Sequence, residues 1–442
     1  MHATEYAAAH LEQKSNRGEG SDISCIPMKS AFCLLLLLGW LPAMMPTVCT
    51  EPCNARPTRN SSRLYQVSSR DKRSGRKTFG FIDDTGKLVI GFDRLPEETI
   101  AVGEFHEGLA VIYVKKKDSD ERSGYRNQVA GYIDRTGAVV IATRFDSARA
   151  FSEGLAYVEL DAMGFKGFID VRGETVIKLE DPVAKDFHEG LAAVGTSEGG
   201  VGRNWGYINQ SGTVVVKRQY SFADDFSEGL AGVAIDGKYG FIDKAGRMVI
   251  PARFGLRREL RHPGSIISSG RFSEGLACVS TGYRPNELYG FINNKGDFVI
   301  PPHFHAAQDF AEGLAFAVEM DKVTKVVKRV GWIDKFGRWA VTEVKKFVSS
   351  SDFPKTFNDP NGLLDWRYSE GLVPFFLYRG DRPLWGYMDQ KGKVVIEPRE
   401  FNRVGPFVGG VAWVEIRDFG MQQDWGYTDR QGRFIWRSEP LK

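Results

Sequence analysis

Acidic side chains recur at fixed positions along the chain and are the first candidates for chemistry. Seven Glu residues occupy the third position of a six-residue motif, Phe-x-Glu-Gly-Leu-Ala, and an Asp or Asn recurs nine times after a Gly-aromatic-x pattern. Paired carboxylates perform general acid–base chemistry, and clustered carboxylates bind calcium. A catalytic pair, however, needs two different environments that separate the two pKa values. Residues repeated in every unit are therefore predicted to be turn and capping groups, and no catalytic residue is assigned.

The two motifs alternate along the chain. The first occurs eight times, starting at residues 105, 151, 187, 226, 272, 310, 368 and 407. The second, Gly-aromatic-x-[Asp/Asn]-x-x-Gly, occurs nine times, starting at Gly80, Gly131, Gly167, Gly206, Gly240, Gly290, Gly331, Gly386 and Gly426. Successive copies of the second motif are 34 to 55 residues apart. This spacing indicates a fixed unit with loops of variable length, most of them between the first motif and the next copy of the second.

The remaining candidates for metal or enzyme chemistry are few. His303 and His305 lie on one face of a predicted strand, but no third ligand follows at a recognisable spacing. No metal site and no cofactor are therefore predicted. The sequence has no nucleophile elbow, phosphate-binding loop or zinc-protease motif, which argues against the common enzyme classes.

The longest insertion, residues 348–368, is the candidate binding site because it is unlike the other units. It contains the candidate binding residues Asp352, Phe353, Phe357, Asp365 and Trp366. Aromatic and acidic side chains together can stack on a sugar or hold a peptide. The alternative is a surface loop held in place by its own aromatic residues. A basic loop, residues 256–270, is a second candidate.

The residues around the motifs predict β-structure. In residues 154–160, Ala156, Val158 and Leu160 share one face, which is the period of a strand. Asp or Asn followed three residues later by Gly predicts a type I turn that ends in a left-handed Gly, and a β-branched strand then pairs back. The Phe of the first motif is predicted to be a core anchor. Its Gly is predicted to form a tight reversal that ends one unit and starts the next.

The alternating motifs resemble WG repeats, also called KWG repeats, a bacterial family of tandem β units. Trp205, Trp385 and Trp425 form the Trp-Gly pair that names the family, while other residues precede the Gly in the remaining copies. The resemblance covers about residues 76–437. It implies an all-β repeat fold and no particular reaction.

About nine units fit two all-β architectures. One is an open solenoid-like or superhelical array of antiparallel β-meander or hairpin units, and the alternative is a β-propeller. If residues 63–68 are the degenerate first strand of unit one, nothing remains at the termini to close a ring by strand exchange. The last unit also departs from the repeat at Gly409 and Thr428, as capping repeats do. The sequence therefore favours the open array.

Residues 1–75 precede the repeat domain, which is predicted to span residues 76–437. A basic start, a Leu-rich run and small residues predict a signal peptide at residues 28–50, with residues 1–27 as an upstream extension outside the fold. The alternative is an uncleaved membrane anchor at residues 31–49. Residues 51–75 are predicted to be a basic, flexible linker, and a basic arm that contacts an anionic polymer or lipid headgroups is its alternative.

The predicted function is that of a non-enzymatic repeat scaffold of the bacterial envelope or exterior, in the periplasm or outside the cell, that binds a protein or ligand. The alternative is a carbohydrate-binding or cell-wall-binding module that uses exposed Tyr and Trp. A third class is an enzyme with its site in the insertion at residues 348–368. No nucleic-acid partner is predicted, and membrane contact is predicted only through an uncleaved N-terminal segment.

Overall fold

The computed structural model describes residues 63–70, 75–116, 127–160, 164–180, 182–196, 204–255, 270–282, 287–321, 324, 326–342, 366–379, 382–417 and 423–438. Within these ranges 34 strands form nine antiparallel sheets of three or four strands each. The sheets follow one another along the chain, and in each sheet the strands lie side by side in chain order. The nine sheets are the blades of a β-propeller.

The strands of each blade are as follows. Blades 1 to 3 contain β1 (Tyr65–Arg70), β2 (Lys77–Ile82) and β3 (Leu88–Ile90); β4 (Thr99–His106), β5 (Leu109–Lys115), β6 (Gln128–Ile133) and β7 (Val139–Phe145); and β8 (Ser147–Ala148), β9 (Leu155–Leu160), β10 (Phe165–Asp170) and β11 (Thr175–Leu179). Blades 4 to 6 contain β12 (Pro182–Ala184), β13 (Leu191–Thr196), β14 (Trp205–Asn209) and β15 (Val214–Tyr220); β16 (Phe222–Ala223), β17 (Leu230–Ile235), β18 (Lys238–Asp243) and β19 (Met248–Gly255); and β20 (Phe272–Ser273), β21 (Leu276–Thr281), β22 (Leu288–Ile292) and β23 (Phe298–Phe304). Blades 7 to 9 contain β24 (Ala306–Ala307), β25 (Ala315–Met320), β26 (Val327–Ile333) and β27 (Trp339–Val341); β28 (Leu372–Arg379), β29 (Arg382–Asp389) and β30 (Val394–Arg399); and β31 (Phe401–Val408), β32 (Val411–Arg417), β33 (Gln423–Asp429) and β34 (Phe434–Arg437).

The first motif forms the hairpin between the first and second strands of a blade. In blade 3, Ser152 pairs with Leu155 across the two-residue loop of Glu153 and Gly154. Both loop residues have positive φ, 55° and 82°, as a type I′ turn requires. The Glu of this motif adopts positive φ in all seven copies that have one. The predicted reversal is confirmed, but it lies inside a blade and does not separate two units.

The second motif forms the turn between the third and fourth strands. In all nine copies, Oδ1 of the Asp or Asn accepts the backbone N–H groups of the residues two and four positions later, at 2.8–3.1 Å. The Gly three positions later has a φ of 73–88°. The predicted turn is therefore confirmed in every unit.

The Gly that begins the second motif is required because the fourth strand passes close to it. A Cβ on Gly131 would lie 2.6 Å from the carbonyl oxygen of Ile141. Tyr132 pairs with Ile141 and Ala130 with Phe145, so Gly131 faces three residues of β7 in a β-bulge. The bulge bends β7 locally, and β7 pairs with β6 again at Phe145. Because β8 begins two residues after β7 ends, the fourth strand itself carries the chain into the next blade.

An aromatic pair packs each of the nine blade boundaries. The aromatic residue of the second motif meets the Phe or Tyr of the first motif in the next blade, with ring centroids 4.8–5.5 Å apart. At the ninth boundary, Tyr427 of blade 9 meets Tyr65 of blade 1 at 5.4 Å. The units therefore close into a ring. The propeller alternative is confirmed, and the open array that the sequence favoured is not formed.

The ring closes through side chains and not through strand exchange, which is why the termini gave no indication of closure. Tyr65 stands where the other blades have the Ala of the first motif, and its ring takes the place of the Phe that blade 1 lacks. Its hydroxyl donates to the carbonyl oxygens of Val408 and Gly409, at 2.7 and 3.1 Å. A Cβ on Gly409 would lie 2.4 Å from that hydroxyl, so the Glu of the other copies is excluded here. Since β1 belongs to blade 1, the repeat domain begins upstream of residue 76 and includes part of the predicted linker.

The Glu side chains of the first motif link successive blades. The carboxylate of Glu107 accepts the backbone N–H groups of Glu153 and Gly154 in the next blade, at 2.7 and 2.9 Å. Glu153, Glu189, Glu228, Glu274, Glu312 and Glu370 make the same type of link, each to the corresponding turn of the following blade. We call these seven carboxylates and the turns that they contact the Glu belt. The predicted capping role is confirmed, and the capped amides belong to the neighbouring blade.

The Glu belt predicts a stability loss that is larger than the loss of an ordinary surface charge. Glu153→Gln keeps the size of the side chain but offers the two amides of blade 4 one acceptor oxygen and an NH2 group. We expect the free energy of unfolding to fall by about 1–2 kcal/mol in urea titrations. The matched control is Glu319→Gln, which removes a salt bridge to Lys328 within one hairpin and is expected to cost less than about 0.5 kcal/mol. Equal losses in the two variants would contradict a role for the belt.

The closing contact of Tyr65 predicts that the ring can be opened by one substitution. Tyr65→Phe removes two hydrogen bonds and is expected to cost about 1 kcal/mol, whereas Tyr65→Ala also removes the ring and is expected to cost about 3–5 kcal/mol. The radius of gyration from small-angle X-ray scattering should increase in Tyr65→Ala. Phe187→Ala, at a boundary where the chain is continuous, is the control and should lose stability at an unchanged radius. An unchanged radius in both variants would show that Tyr65 does not hold the ring closed.

Candidate functional site

The two ends of the ring differ in character. Because neighbouring strands are antiparallel, the turns of both motifs lie at one end, where Lys335 Nζ contacts Glu274 Oε2 of the preceding blade at 3.1 Å. The connections from second to third strands, and from each fourth strand to the next blade, emerge at the other end. We call these ends the motif face and the loop face. The strand ends that these connections join, such as Lys115 of β5 and Gln128 of β6, lie at the loop face.

Of the five predicted binding residues, only Trp366 lies within the described structure. Asp352, Phe353, Phe357 and Asp365 lie outside the described residues, as do residues 256–269 of the second candidate loop. Trp366 is described and is 4% exposed, so it is a core residue and not a surface for stacking a sugar. The sequence singled out Trp366 because it has no counterpart in the other units. In the structure, Trp366 packs between two blades.

Trp366 belongs to an aromatic cluster between blades 7 and 8. Its ring stacks on Phe316 with centroids 5.3 Å apart and an interplanar angle of 16°, and Trp332 Nε1 donates to its carbonyl oxygen at 2.8 Å. Trp385 lies 6.4 Å away, centroid to centroid. Within the described structure, the indole N–H groups of Trp366 and Trp385 are buried without a hydrogen-bond acceptor. This cluster lies next to the candidate insertion in the chain.

A buried group of charges joins blades 4, 5 and 6, and sequence reasoning missed it. Asp224 and Asp225 are 4% and 9% exposed. Lys185 Nζ lies 3.3 Å from Asp224 Oδ1, and Arg271 Nη2 lies 2.5 Å from Asp225 Oδ2. Tyr239 donates its hydroxyl to Asp224 Oδ2 at 2.7 Å. The two anions thus face a cation from each neighbouring blade, and the group serves as a bridge between blades. The only trace in the sequence is that the two residues before the motif Phe change charge from unit to unit.

Burial dominates the electrostatics of this bridge. Removal from water raises the pKa of the Asp224 carboxyl, and the charge of Lys185 and the hydrogen bond from Tyr239 oppose that shift. The turn carboxylates of the motif face behave in the opposite way. Donation from the backbone N–H of Arg247 lowers the pKa of Asp243, with further help from the Arg247 side chain. The Asp243 carboxyl therefore stays ionised near neutral pH and serves as a turn acceptor.

The two histidines considered as a metal pair have separate roles. His303 Nδ1 lies 2.7 Å from the carbonyl oxygen of Pro301, while His305 Nδ1 accepts the backbone N–H of Met320 at 3.1 Å. Over the described ranges, no three His, Cys, Asp or Glu side chains are grouped so that they could hold a metal ion. Cys278, which stands where other copies of the repeat have residues such as Ala, Tyr or Phe, is buried at 1% exposure.

A concave site among the described residues lies at the seam between blades 9 and 1. It is a cleft of about 830 Å³, a size typical of ligand sites, and we call it the seam cleft. Among the described residues, which begin at residue 63, β1 pairs only with β2. Gln66, Ser68 and Arg70 of β1 line one wall, and Trp413 and Trp425 of blade 9 line the other. The arrangement offers strand edges and aromatic surface, and it does not bring together groups for catalysis.

The opposite pKa shifts of Asp224 and Asp243 predict opposite pH dependences. Because the folded state raises the pKa of Asp224, its stabilising contribution is present below the unfolded value of 3.8 and is lost as the pH rises. The melting temperature of Asp224→Asn relative to the unsubstituted protein should therefore increase from about pH 4 to pH 7. Asp243 has a lowered pKa, so its contribution is present above 3.8 and is lost as the pH falls. The melting temperature of Asp243→Asn relative to the unsubstituted protein should therefore decrease from about pH 3 to pH 5. Parallel pH profiles for the two variants would contradict these assignments.

Comparison with known proteins identifies the repeat. The model of the WG containing repeat matches at residues 131–162, 205–239, 239–255, 289–322 and 385–418. No curated protein matches the sequence. Similar solved structures include a eukaryotic initiation factor, at 11% identity over 86% of this chain and 89% of that chain with a TM-score of 0.39. Hsv2 from Kluyveromyces lactis is similar at 9% identity over 76% and 96%, with a TM-score of 0.33. The dihydro-heme d1 dehydrogenase NirN is similar at 14% identity over 78% and 75%, with a TM-score of 0.37. At TM-scores this low the likenesses carry no argument. The five matches of the repeat model show that the chain contains WG repeats.

Proposed function

We propose that the protein is an exported, non-enzymatic scaffold that binds a protein partner at its loop face. The observation that carries the proposal is the separation of the two faces. The motif face is built from the same two hydrogen-bonded turns in almost every blade, whereas the connections that vary in length all belong to the loop face. In repeat proteins, insertions gathered on one face commonly form the binding surface.

The described surface favours a protein partner over a glycan. Glycan-binding modules present aromatic rings to solvent for stacking on sugars. Among the residues whose side chains the structure describes, no Trp or Tyr is exposed: each is buried or half-buried. Trp205 and Trp385, which carry the repeat's Trp-Gly pair, are 7% and 5% exposed. Carbohydrate or cell-wall binding is therefore the second candidate.

Export to the periplasm or the exterior rests on the sequence of residues 28–50, which lie outside the described structure. Across the part of the chain that is described, no helix has the length and hydropathy of a membrane span. Attachment through an uncleaved segment at residues 31–49 is the alternative to a free, exported protein.

Lysine cross-linking in intact cells tests both parts of the proposal. An amine-reactive reagent that does not enter the cytoplasm is added to the native host, and the tagged protein is purified. Partner cross-links are expected at Lys115, Lys116 and Lys328, which flank loop-face connections. They should be absent at Lys87, Lys295 and Lys391, which are exposed on the motif face and serve as internal controls. The same sample should show a mature N-terminus near residue 50.

Other results of this experiment would contradict the proposed binding face, the proposed export or the proposed kind of partner. Cross-links confined to the motif-face lysines would contradict the loop face as the binding surface. Labelling of purified protein but not of cells would contradict export. Retention on purified peptidoglycan or glycans without any protein cross-link would favour the cell-wall alternative.

A further inference from the structure

Each blade presents the beginning of its last strand at the outside of the ring. The first strands lie towards the axis, where the hairpins that end them are hydrogen-bonded from blade to blade. Ser152 Oγ donates to the carbonyl oxygen of Phe187, and Ser227 Oγ to that of Phe272, both at 2.7 Å. The last strand, at the opposite edge of each sheet, is therefore the outer one. We call the first two residues of the last strand of each blade the outer rim.

Apolar side chains are exposed along the outer rim. Among the described residues, every exposed large apolar side chain lies on the rim except Ile100, Val171, Val326 and Phe336. The rim residues concerned are 38–55% exposed and are Leu88, Val89, Val139, Val140, Val176, Val214, Val215, Met248, Val249, Phe298, Val299, Val395 and Phe434. Single exposed apolar residues are ordinary on protein surfaces, but here the exposure recurs at one position of the repeat. The rim is therefore a surface that the repeat itself produces.

The sequence next to the rim is most cationic in blades 4 and 5. The eight residues that follow the turn Gly include two basic and no acidic residues in each of these blades, Lys217 and Arg218 in blade 4 and Arg247 and Arg253 in blade 5. The same eight residues include one basic and three acidic residues in blade 3, and one Asp without Lys or Arg in blade 6. The positive charge is thus confined to two adjacent blades.

The exposed residues of these two blades form one continuous surface. Gly246, in the turn that precedes β19, lies against Val216 of β15, since a Cβ on this glycine would be 3.0 Å from Cγ2 of Val216. Residues 204–255 are described without a gap. The rim residues here are Val214 and Val215 of β15, at 55% and 38% exposure, and Met248 and Val249 of β19, at 38% and 42%.

The cations beside these four apolar residues are available at the surface. Lys217 and Arg218 are exposed. Arg253 is also exposed and donates to a neutral group, the carbonyl oxygen of Gly296, at 2.6 Å, so it keeps its charge. Arg247 is paired with Asp243 at 2.7 Å and contributes less. We call Val214, Val215, Met248 and Val249, together with Lys217, Arg218 and Arg253, the rim patch.

The composition of the rim patch favours a bilayer of anionic lipids over a protein. A bilayer accepts protruding aliphatic side chains among its headgroups, and anionic headgroups attract nearby Lys and Arg. A second copy docked patch to patch would place like charges opposite one another, which is costly. A partner strand added to β19 would meet Pro251, which has no N–H group, and Lys217 and Arg218 oppose strand addition to β15.

We propose that the rim patch docks the protein on a membrane surface that contains anionic phospholipids. The aliphatic side chains of the patch enter the headgroup region, and its three cations contact lipid phosphates. The ring then meets the membrane by its outer edge, which leaves the loop face open to a protein partner. This contact lies within the repeat domain, whereas the sequence predicts membrane contact only through an uncleaved N-terminal segment.

Vesicle sedimentation with the mature chain tests the proposal. Vesicles of phosphatidylcholine and phosphatidylglycerol should bind the protein, vesicles of phosphatidylcholine alone should bind it weakly, and added salt should reduce binding. Val214→Thr/Val215→Thr keeps β-branched side chains but makes them polar, and it should weaken binding about tenfold. Lys217→Gln/Arg218→Gln removes two charges and should weaken binding about thirtyfold.

The repeat supplies matched controls for both variants. Val139→Thr/Val140→Thr changes the corresponding residues of blade 2, which are 42% and 47% exposed. Lys87→Gln/Lys393→Gln removes two exposed cations from blades 1 and 8. Both controls should bind vesicles as the unsubstituted protein does. Melting temperatures check the fold of each variant, and if the Val214 and Val215 variant does not fold, the charge variant decides.

Several outcomes would overturn the proposal. Equal binding of the two rim variants and their controls would assign the lipid contact to the basic residues 51–75. Weaker binding in the charge variant alone would show attraction to an anionic surface without insertion of the rim. In sedimentation velocity without lipid, a dimer that dissociates in Val214→Thr/Val215→Thr would make a second copy the occupant of the patch. None of these results depends on the loop-face partner, so the two proposals can fail separately.

Discussion

The structure depends on a hairpin whose turn N–H groups have no acceptor within the hairpin itself. A Glu-Gly turn places two successive residues at positive φ, which costs about 1–2 kcal/mol for a non-glycine residue. It also leaves the N–H groups of the turn pointing away from the hairpin. The carboxylate of the preceding blade accepts them, so the residue that is strained in its own blade caps the turn of the next. One position in the motif thus encodes both the local reversal and the contact that makes the blades dependent on one another.

This constraint explains where the repeat departs from its pattern. The belt runs from blade 2 to blade 9 and stops there, because blade 9 has Gly409 at the position of the Glu. At that boundary Tyr65 supplies the aromatic ring and the hydrogen-bond donor together, and burial raises the pKa of its hydroxyl to about 12, so that it remains a donor. Gly409 is then a requirement of closure and not a degenerate end, because any side chain would meet the Tyr65 hydroxyl.

The sequence predicted the features that depend on neighbouring residues. The Asp turns, the strand pairing around them and the aromatic anchors follow from a few consecutive positions, and all of them are present. The partners of Glu153 lie 36 and 37 residues away, so its capping role was predictable but its recipient was not. The choice between ring and open array depends on the rotation from blade to blade. Side-chain packing at each boundary sets that rotation, and the spacing of the motifs along the sequence does not predict it.

The candidate site also could be predicted only in part, because contacts between units are not visible in the sequence of one unit. The insertion at residues 348–368 was chosen because it differs from the repeat, yet Trp366 differs because it fills space between two blades. The Asp224 and Asp225 bridge and the seam cleft were missed for a related reason. Both arise where residues from separate blades meet, and each residue is unremarkable in its own unit. A repeat sequence reveals the unit, but a site formed between units depends on their arrangement.

The division of the ring into two faces follows from the same physics. A substitution on the motif face disturbs a turn, a belt contact or both, so each copy is held to a narrow choice of residues. The connections of the loop face begin and end at strand ends that are already held in place by the sheets. A longer connection changes the entropy of loop closure only slightly. Variation can therefore accumulate at one end of the ring while the other end keeps the blades together.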